Sequence, residues 1–358
     1  MTPLKVAVLV CGAVAAVAGA CGVGAGPSAL PSSPPRTPAS VETPPPSAVR
    51  HVVIDTDMAP DDWIAILYLL GRADISVDAI TVTGTGEAHC APGIEHAHGL
   101  AALAGQPDIP VACGRETPLA SDHAFPDEWR QGVDDLLGLT LPDGSIEASD
   151  ESAPDLLTRI VVESADGVTL LTLGPLTNVA EALQADPSLG DKIEAIYAMG
   201  GAVEVDGNVG ISIGIDNQFA EWNIYADPHA AKIVLESGVP VTLVPLDATN
   251  EVPITAAFAD SLKTSADSES AEFVSQVLTQ RMPFILDGGY DFWDPFAAAV
   301  LVDEGLTSFQ SASLTVETVE GPDSGRIIEV ASGPEVRFAA SANRHEFEQE
   351  LLTTLNGR

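Results

Sequence analysis

Short apolar runs alternate with amphipathic segments from residue 51 to residue 245. The run at 51–55 precedes the segment 61–70, whose apolar residues recur at helical spacing. The run at 168–173 is apolar throughout, which is typical of a strand that is buried on both faces. Strands that alternate with helices usually pair in parallel, with the helices packed against the sheet. The pattern therefore predicts an α/β fold with an open, mainly parallel, Rossmann-like central sheet and helices on both faces.

The same pattern predicts further elements along the chain. Strands are expected at 79–83, 109–112, 193–199 and 239–245. Helices are expected at 94–104, 176–184 and 227–237, with a closing helix at 343–356. Three later runs, at 314–319, 326–331 and 336–340, predict shorter strands in an antiparallel appendage.

The first residues have the shape of an export signal. An apolar run at 6–20 ends in small residues directly before Cys21, and it is too short to span a bilayer readily. Residues 1–21 therefore resemble a bacterial lipoprotein signal, and Cys21 would become the lipid-carrying first residue of the exported protein. An ordinary cleaved signal with an incidental cysteine is the alternative.

The stretch that follows the signal predicts a tether. Residues 22–48 are rich in Pro, Ser and Thr, a composition that stays disordered and extended because it cannot bury enough apolar surface. The folded domain is expected at 49–358. We therefore expect an exported protein on the bacterial cell surface that touches the membrane through the lipid on Cys21.

The charge balance excludes several classes of partner. The chain has 52 acidic and 15 basic residues, a formal net charge of -37. Such a field repels phosphate, which argues against nucleic acid, phosphorylated substrates and anionic membrane surfaces. The same excess makes chance clusters of acids common, so a cluster indicates a site only where its position has a meaning.

One cluster has such a position, at the junction between the first strand and the first helix. Asp55, Asp57, Asp61 and Asp62 lie within eight residues there, at the carboxyl end of a strand, where open parallel sheets bind ligands. A helix N-terminus stabilises negative charge, but four converging carboxylates repel one another unless a cation lies among them. A hard divalent cation with oxygen ligands is therefore expected. A capping Asp among solvated charges is the alternative.

Four stretches, in this order, resemble the signature segments of the inosine-uridine preferring nucleoside hydrolase family. They are Asp55-Thr56-Asp57-Met58-Ala59-Pro60-Asp61-Asp62, Leu173-Gly174-Pro175-Leu176-Thr177-Asn178, Ala220-Glu221-Trp222-Asn223-Ile224 with Asp227-Pro228, and Trp293-Asp294-Pro295. The resemblance covers about residues 50–356. Relatives usually carry Pro-Gly where this chain has Met58-Ala59.

The resemblance implies a nucleoside hydrolase fold and an activity. Such enzymes hydrolyse the N-glycosidic bond of a nucleoside to ribose and a free base, with a bound Ca²⁺. By resemblance, Asp57, Asp62, Asp294 and the backbone carbonyl of Leu173 would bind the ion. Asp57 would also act as the general base on a water that the ion holds.

The resemblance also implies which residues bind ribose. They are Asp61, Glu87, Asn208, Glu221 and Asn223. Asn208 belongs to a Gly-Asn pair like that of the family, but the following loop varies in length, so Asn217 is its rival.

The residues that would hold the base point to a preference for purines. Trp293 stands where many broadly active members carry His before the metal-binding Asp, and it resembles the purine-preferring branch, in which stacked aromatic rings hold the base. Trp129, expected on the opposite loop, would be the second ring; a loop-anchoring aromatic is the alternative. Tyr290 could line the same mouth or belong to the core. Arg281 could close over the base, but we interpret it as a solvated charge on a helix.

Other functions and contacts stay open at this level. Haloacid-dehalogenase-like phosphatases also place two Asp after a first strand, but they need a phosphate-binding Lys, and Lys is scarce here. A non-catalytic lipoprotein that binds nucleosides would be expected to lack Asp57. Cys90 and Cys113 could form a disulfide outside the cytosol or stay as two buried thiols. A homodimer is possible, since family members are commonly oligomers.

Overall fold

A sheet of nine strands forms the centre of the protein in the computed structural model, which describes residues 49–144, 149–210 and 214–357. The expected signal peptide with Cys21, and the tether up to residue 48, lie outside these residues. The strands are β1 Arg50–Thr56, β2 Ile75–Val82, β3 Val111–Cys113, β4 Val168–Thr172, β5 Ile193–Met199, β6 Val241–Val244, β7 Phe309–Val316, β8 Ile327–Glu329 and β9 Glu335–Ala339.

Helices connect most of these strands. In the described ranges they are α1 Pro60–Leu70, α2 Cys90–Leu103, α3 Asp127–Asp134, α4 Ala153–Glu163, α5 Thr177–Ala185, α6 Trp222–Ala226, α7 Pro228–Leu235, α8 Leu246–Thr249, α9 Ala256–Ser265, α10 Glu269–Gln280, α11 Met282–Asp287, α12 Trp293–Val302 and α13 Arg344–Leu355. Short 3-10 turns lie at Leu136–Gly138, Pro187–Lys192 and Glu304–Leu306. Among the helices that the structure describes, none combines the length and the apolar character needed to cross a membrane.

The strand order places β1 at a reversal of the chain's path. The order is β3-β2-β1-β4-β5-β6-β9-β7-β8, and every pair from β3 to β9 is parallel. β1 pairs with β2 on one side and with β4 on the other, so Ile54 lies opposite both Ile80 and Leu171. The carboxyl ends of β1 and β4 therefore flank a topological switch point, where sheets of this kind bind ligands.

Alternate residues of the strands bury against two separate hydrophobic clusters. Ile54 of β1 packs with α1 and α12 on one face, whereas Val53 packs with α5 and α7 on the other. Because successive side chains of a strand point to opposite faces, continuous apolar strands are what two covered faces require. The prediction of a mainly parallel sheet between two helical layers is confirmed.

The late strands and several helices differ from the prediction. β9 pairs in parallel with β6 and so extends the main sheet; the antiparallel pairs are β7 with β9 and β7 with β8. Between residues 246 and 302, where the structure has α8 to α12, the sequence pattern predicted no helix apart from the one implied at Arg281.

A disulfide joins Cys90 to Cys113, with the two Cα atoms 5.6 Å apart. Cys90 begins α2 and Cys113 ends β3, so the bond ties the crossover helix to the strand that it leads into. Cys90 and Cys113 therefore form a disulfide in the structure and are not two separate buried thiols.

Candidate active site

The loop between β1 and α1 turns sharply enough to direct several acids to one place. Met58 adopts a left-handed backbone, with φ of 62°, and its N–H donates to Thr56 Oγ1 at 2.9 Å. Pro60 stands in the first turn of α1, where its missing N–H costs no hydrogen bond. Asp61 and Asp62 follow in the same turn, so the helix presents both carboxylates at its electropositive end.

Asp61 and Asp62 meet Asp294, which lies far away in the sequence. Asp294 is in the first turn of α12, and one oxygen of each of the three carboxylates lies within 4.8 Å of the others. All three residues are buried. The backbone N–H of Asp294 donates to Asp61 Oδ2 at 3.5 Å. Two helix N-termini thus converge on one buried group of acids, and neither helix contributes a basic side chain to it.

Two oxygens of this group lack a partner among the described residues. Asp62 Oδ2 and Asp294 Oδ1 are buried without a hydrogen bond, although Thr56 Oγ1 donates to the other oxygen of Asp62. Burial raises the pKa of Asp62 well above its usual range, and the charges of Asp57 and Asp61 raise it further. Burial, with the charges of Asp62 and Asp61, has the same effect on the pKa of Asp294. Unpaired buried carboxylate oxygens are what a hard divalent cation binds, so the residues present fit such an ion.

Asp57 is held against this group by two close backbone segments. Its carboxylate accepts hydrogen bonds from the N–H groups of Ala59 and Glu87, both at 3.3 Å. A Cβ at Gly86 would lie 2.1 Å from Asp57 Cβ, and one at Gly174 would lie 2.7 Å from it. Neither position therefore admits a side chain without movement. Burial raises the pKa of Asp57 to about 7, even though the two hydrogen bonds oppose the rise.

The segment after β4 meets the segment around Asn223. Asn223 Nδ2 donates to the carbonyl of Leu173 at 3.2 Å and to that of Met199 at 3.3 Å. Leu173 directly precedes Gly174, the residue that packs on Asp57. The structure thus brings the predicted carbonyl ligand and a predicted ribose residue together beside Asp57.

Glu221 organises this part of the site by capping α6. Its carboxylate accepts from the N–H groups of Gly201 and Asn223, both at 2.9 Å, and of Ile224 at 3.2 Å. Burial raises the pKa of Glu221 to about 7, although the three hydrogen bonds lower it in part. The charge of Asp61 also acts on Glu221, so the two acids belong to one electrostatic group.

The two candidate asparagines have different surroundings. Asn208 Oδ1 accepts from the N–H of Trp222 at 3.2 Å, which places it beside Glu221 and Asn223. Asn217 is buried, and both ends of its amide bond to backbone groups: those of Phe219, Ala220 and Ser324. These contacts favour Asn208 as the residue of the site and give Asn217 a structural role.

Glu87 lies at the edge of the acid group. Its pKa is raised to about 8, mainly by burial and further by the charges of Asp57 and Asp61. The charges of Arg281 and Arg130 oppose this rise. Arg130 Nη2 donates to the carbonyl of Gly84 at 2.9 Å and so anchors the loop that carries Glu87. Glu87, which the resemblance implies as a ribose residue, therefore lies close to Asp57.

The two tryptophans stand on helices, not on loops as expected. Trp129 is in α3, and its ring contacts that of Trp222, with centroids 5.2 Å apart. Trp293 is the first residue of α12, half-buried, and its ring meets that of Tyr290 at 5.5 Å in an edge-to-face arrangement. Trp293 therefore directly precedes Asp294 of the acid group, whereas Trp129 contacts Trp222, the residue after Glu221.

Arg281 is not the solvated charge that we expected. Its guanidinium lies 4.6 Å from the ring centroid of Phe284 and 4.9 Å from that of Tyr290. Its charge lowers the pKa of Asp61 and of Glu87, so it faces the acid group. Tyr290 is buried, and its hydroxyl has no partner among the described residues.

Sequence reasoning named Asp55 in the acid cluster but missed its structural role, and it missed Gly86. Asp55 accepts hydrogen bonds from Thr81 and Asn178, both at 2.7 Å, which ties β1 to β2 and α5. Burial raises the pKa of Asp55 to about 7. Gly86, in the run Gly84-Thr85-Gly86, carried the one local signal, because paired glycines after a strand often mark a close backbone approach.

Comparisons with known proteins agree with this architecture over most of the chain. A sequence model described as inosine-uridine preferring nucleoside hydrolase matches residues 52–349. Pyrimidine-specific ribonucleoside hydrolase RihA of Salmonella enteritidis PT4 is 32% identical over 252 residues, which cover 70% of this chain and 76% of that protein. The solved structure of the plant nucleoside hydrolase PpNRh1 is 28% identical with a TM-score of 0.76, covering 87% of this chain and all (100%) of the other. For a purine-preferring ribonucleoside hydrolase from Gardnerella vaginalis the identity is 27% and the TM-score 0.74, covering 86% and 98% of the two chains.

Proposed function

Because this chain belongs to the inosine-uridine preferring nucleoside hydrolase family, and so is a nucleoside hydrolase, we propose that it releases the base from purine ribonucleosides with the help of Ca²⁺. Membership implies hydrolysis of the N-glycosidic bond of ribonucleosides, and it does not fit the phosphatase alternative. The relatives differ in base preference, since one is named pyrimidine-specific and another purine-preferring. The preference for purines must therefore rest on residues of this chain.

The observation that supports the proposal most is the buried acid group with its two unpaired oxygens. Asp62 and Asp294 of this group would hold the ion, together with Asp57, which lies beside the group, and the carbonyl of Leu173. All of these ligands are oxygens, which hard cations prefer, and four protein ligands favour Ca²⁺ over Mg²⁺, which is usually bound by one or two carboxylates and keeps several waters. When bound, the ion would supply positive charge that orients water and sugar hydroxyls and makes a water easier to deprotonate.

Asp57 is the residue we assign to the proton transfer. It is buried, and two N–H groups fix its carboxylate, so it can take a proton from a water that is held at one place. In the reaction, the water oxygen bonds to the anomeric carbon, one water proton passes to Asp57, and the electron pair of the C–N bond leaves with the base. The base takes a proton from solvent to become the free base, and Asp57 returns its proton to solvent.

The remaining acids suit a sugar that becomes positively charged. Hydrolysis of such bonds passes through a state like an oxocarbenium ion, and preorganised negative groups stabilise it. Asp61 and Glu221 are placed to do so. The ribose hydroxyls would be bound by Asp61, Glu87, Asn208, Glu221 and Asn223.

The proposed preference for purines rests on Trp293. It stands next to Asp294 at the start of α12 and presents a half-buried ring braced by Tyr290. A ring at this place can stack on a flat base, and a purine offers more area for stacking than a pyrimidine. Trp129, packed on Trp222, would be the second ring.

A panel of ribonucleosides tests the proposal. The body of the protein, residues 48–358, should release base from inosine and guanosine in the presence of Ca²⁺, and chelation should abolish the release. Asp57→Ala should lose activity by roughly 1000-fold or more, because a general base and a charge are removed together. Asp260→Ala, at an exposed position on α9, is the matched control and should keep full activity. An active Asp57→Ala would contradict the mechanism, and equal rates on uridine would contradict the purine preference.

The proposals for the N-terminal residues are separate. We propose that residues 1–21 are a lipoprotein signal, that Cys21 carries the lipid, and that residues 22–48 tether the enzyme to the surface of a bacterial cell. Mass measurement of the exported protein should show a diacylglycerol on Cys21, and an unmodified N-terminus elsewhere would refute it. We also propose a homodimer, which sedimentation analysis would test.

A further inference from the structure

Arg281 is a cation at the edge of the acid group without a counter-ion of its own. The described part of the chain offers its guanidinium neither a hydrogen bond nor an ion pair, and its Nε is buried without a partner. Most other arginines of the described residues, such as Arg72 and Arg159, pair with an acid. In a protein with 52 acidic residues, an arginine near several acids that pairs with none of them is unusual.

Two aromatic rings, one exposed and one buried, lie close to the guanidinium of Arg281. The guanidinium lies over Phe284 at 4.6 Å and over Tyr290 at 4.9 Å. Tyr290 in turn contacts Trp293, so Arg281 is one ring away from the residue proposed to stack on the base. Stacking orients the plane of a guanidinium and leaves its N–H groups in that plane free to donate.

The sugar and the leaving base need opposite charges around them. The charge of Arg281 acts on Asp61 and Glu87, two acids that we have proposed to bind ribose. When the C–N bond breaks, the sugar gains positive charge and the base leaves with the electron pair. The carboxylates suit the sugar but oppose an electron-rich base. Tyr290 contacts both Arg281 and Trp293, so a base stacked on Trp293 would have the positive charge of Arg281 nearby.

We propose that Arg281 selects 6-oxopurine nucleosides, such as inosine and guanosine, over the 6-aminopurine adenosine. This inference rests on the proposed purine hydrolysis and deepens it. A guanidinium donates two hydrogen bonds to the O6 and N7 acceptors of an oxopurine. Adenine has a donor, its 6-amino group, in place of O6, so the same guanidinium meets one acceptor and one donor. A site built to donate to an oxygen rejects an analogue that lacks it.

The test compares inosine with adenosine in the wild type and in two variants. The wild type should prefer inosine in kcat/KM by roughly 10-fold or more, the range of one bidentate contact. Arg281→Gln removes the charge and the paired N–H donors of the guanidinium. The ratio of kcat/KM for inosine to that for adenosine should therefore fall close to one, mainly because inosine hydrolysis is lost. Arg281→Lys keeps the charge and loses the paired donors, so this ratio should fall, while inosine is hydrolysed faster than by Arg281→Gln. Arg159→Gln, on α4 at the other face of the sheet, is the matched loss of one charge and should keep the ratio.

The outcomes separate this inference from the proposed function. If the wild type hydrolyses inosine and adenosine equally, or if Arg281→Gln keeps the wild-type ratio, the inference is wrong while nucleoside hydrolysis stands. If the wild type releases no base from any ribonucleoside, the proposed function fails and the inference with it. Thermal unfolding of each variant, measured beside the kinetics, shows that a changed ratio comes from folded protein.

Discussion

Replacing Gly86 by alanine tests whether the loop after β2 holds Asp57 in its reactive position. The added Cβ would lie 2.1 Å from Asp57 Cβ and 2.3 Å from Asp57 Oδ2. Ordinary contacts begin at 3.4 Å, so the loop or the carboxylate must move by about 1.3 Å. Gly86 is not in the left-handed region, so the change acts through space and not through backbone strain.

The displacement should lower kcat strongly and the free energy of unfolding only modestly. A shift of about 1 Å in a catalytic group costs roughly 100-fold in rate, which corresponds to about 3 kcal/mol of activation free energy. Overpacking should lower the free energy of unfolding by about 1–3 kcal/mol. We therefore expect kcat for inosine, measured as release of reducing sugar, to fall about 100-fold in Gly86→Ala.

The control is a glycine whose added Cβ meets ordinary contacts. At Gly333 the nearest atoms would be Val330 Cγ2 at 3.8 Å and Ser313 Cβ at 3.9 Å. Gly333→Ala should therefore keep the wild-type kcat. A folded Gly86→Ala with wild-type kcat would refute the reasoning, because Asp57 would then either tolerate the displacement or take no part in the reaction.

Two further predictions concern protons and the disulfide. Because the pKa of Asp57, a proposed ligand of the ion, is raised to about 7, a proton on this residue competes with Ca²⁺, and calorimetry should show weaker binding as the pH falls from about 8 to about 6. The pKa of Glu221 is raised to about 7 as well. Without the cation, the free energy of unfolding should fall as the pH rises from about 4 to about 8, because the folded state holds these protons more tightly than the unfolded chain does. The rise in the pKa of Glu221 from 4.5 to about 7 corresponds to roughly 3 kcal/mol of the free energy of unfolding. In Glu221→Gln, the fall in that free energy between about pH 4 and about pH 8 should be smaller by this amount. Replacing Cys90 and Cys113 by Ser should lower the free energy of unfolding in urea by about 3 kcal/mol, since it opens a loop of 23 residues; no change would contradict a disulfide in solution.

Local patterns were sufficient for the first half of the site. Asp57, Asp61 and Asp62 lie on one loop and one helix turn, so the boundary between β1 and α1 nearly determines where they lie relative to one another. Asp294 lies more than 230 residues later, and nothing local links it to them; its place depended on the resemblance. Arg281 was misjudged for a similar reason, because its exposure depends on Tyr290, which packs against it only in the folded protein.

The missed helices left signals that were too weak for periodicity alone. Thr255 and Ser268 accept hydrogen bonds from the N–H groups three residues on and so cap α9 and α10. Trp129 was placed on a loop although Asp127 begins a helix there. The partner of β9 could not be read from the sequence, because a short strand carries no mark of the distant strand it joins.

The position of β9 in the sheet also determines when the sheet can be completed during synthesis of the chain. Glu335–Ala339 fills the gap between β6 and β7, so β6 keeps an open edge until almost the whole chain has left the ribosome. An open strand edge can pair with other chains. A product that stops short of residue 335 would retain all the acids proposed here for the site, but it would also expose that edge. Premature termination near the end should therefore yield aggregates instead of a smaller working enzyme.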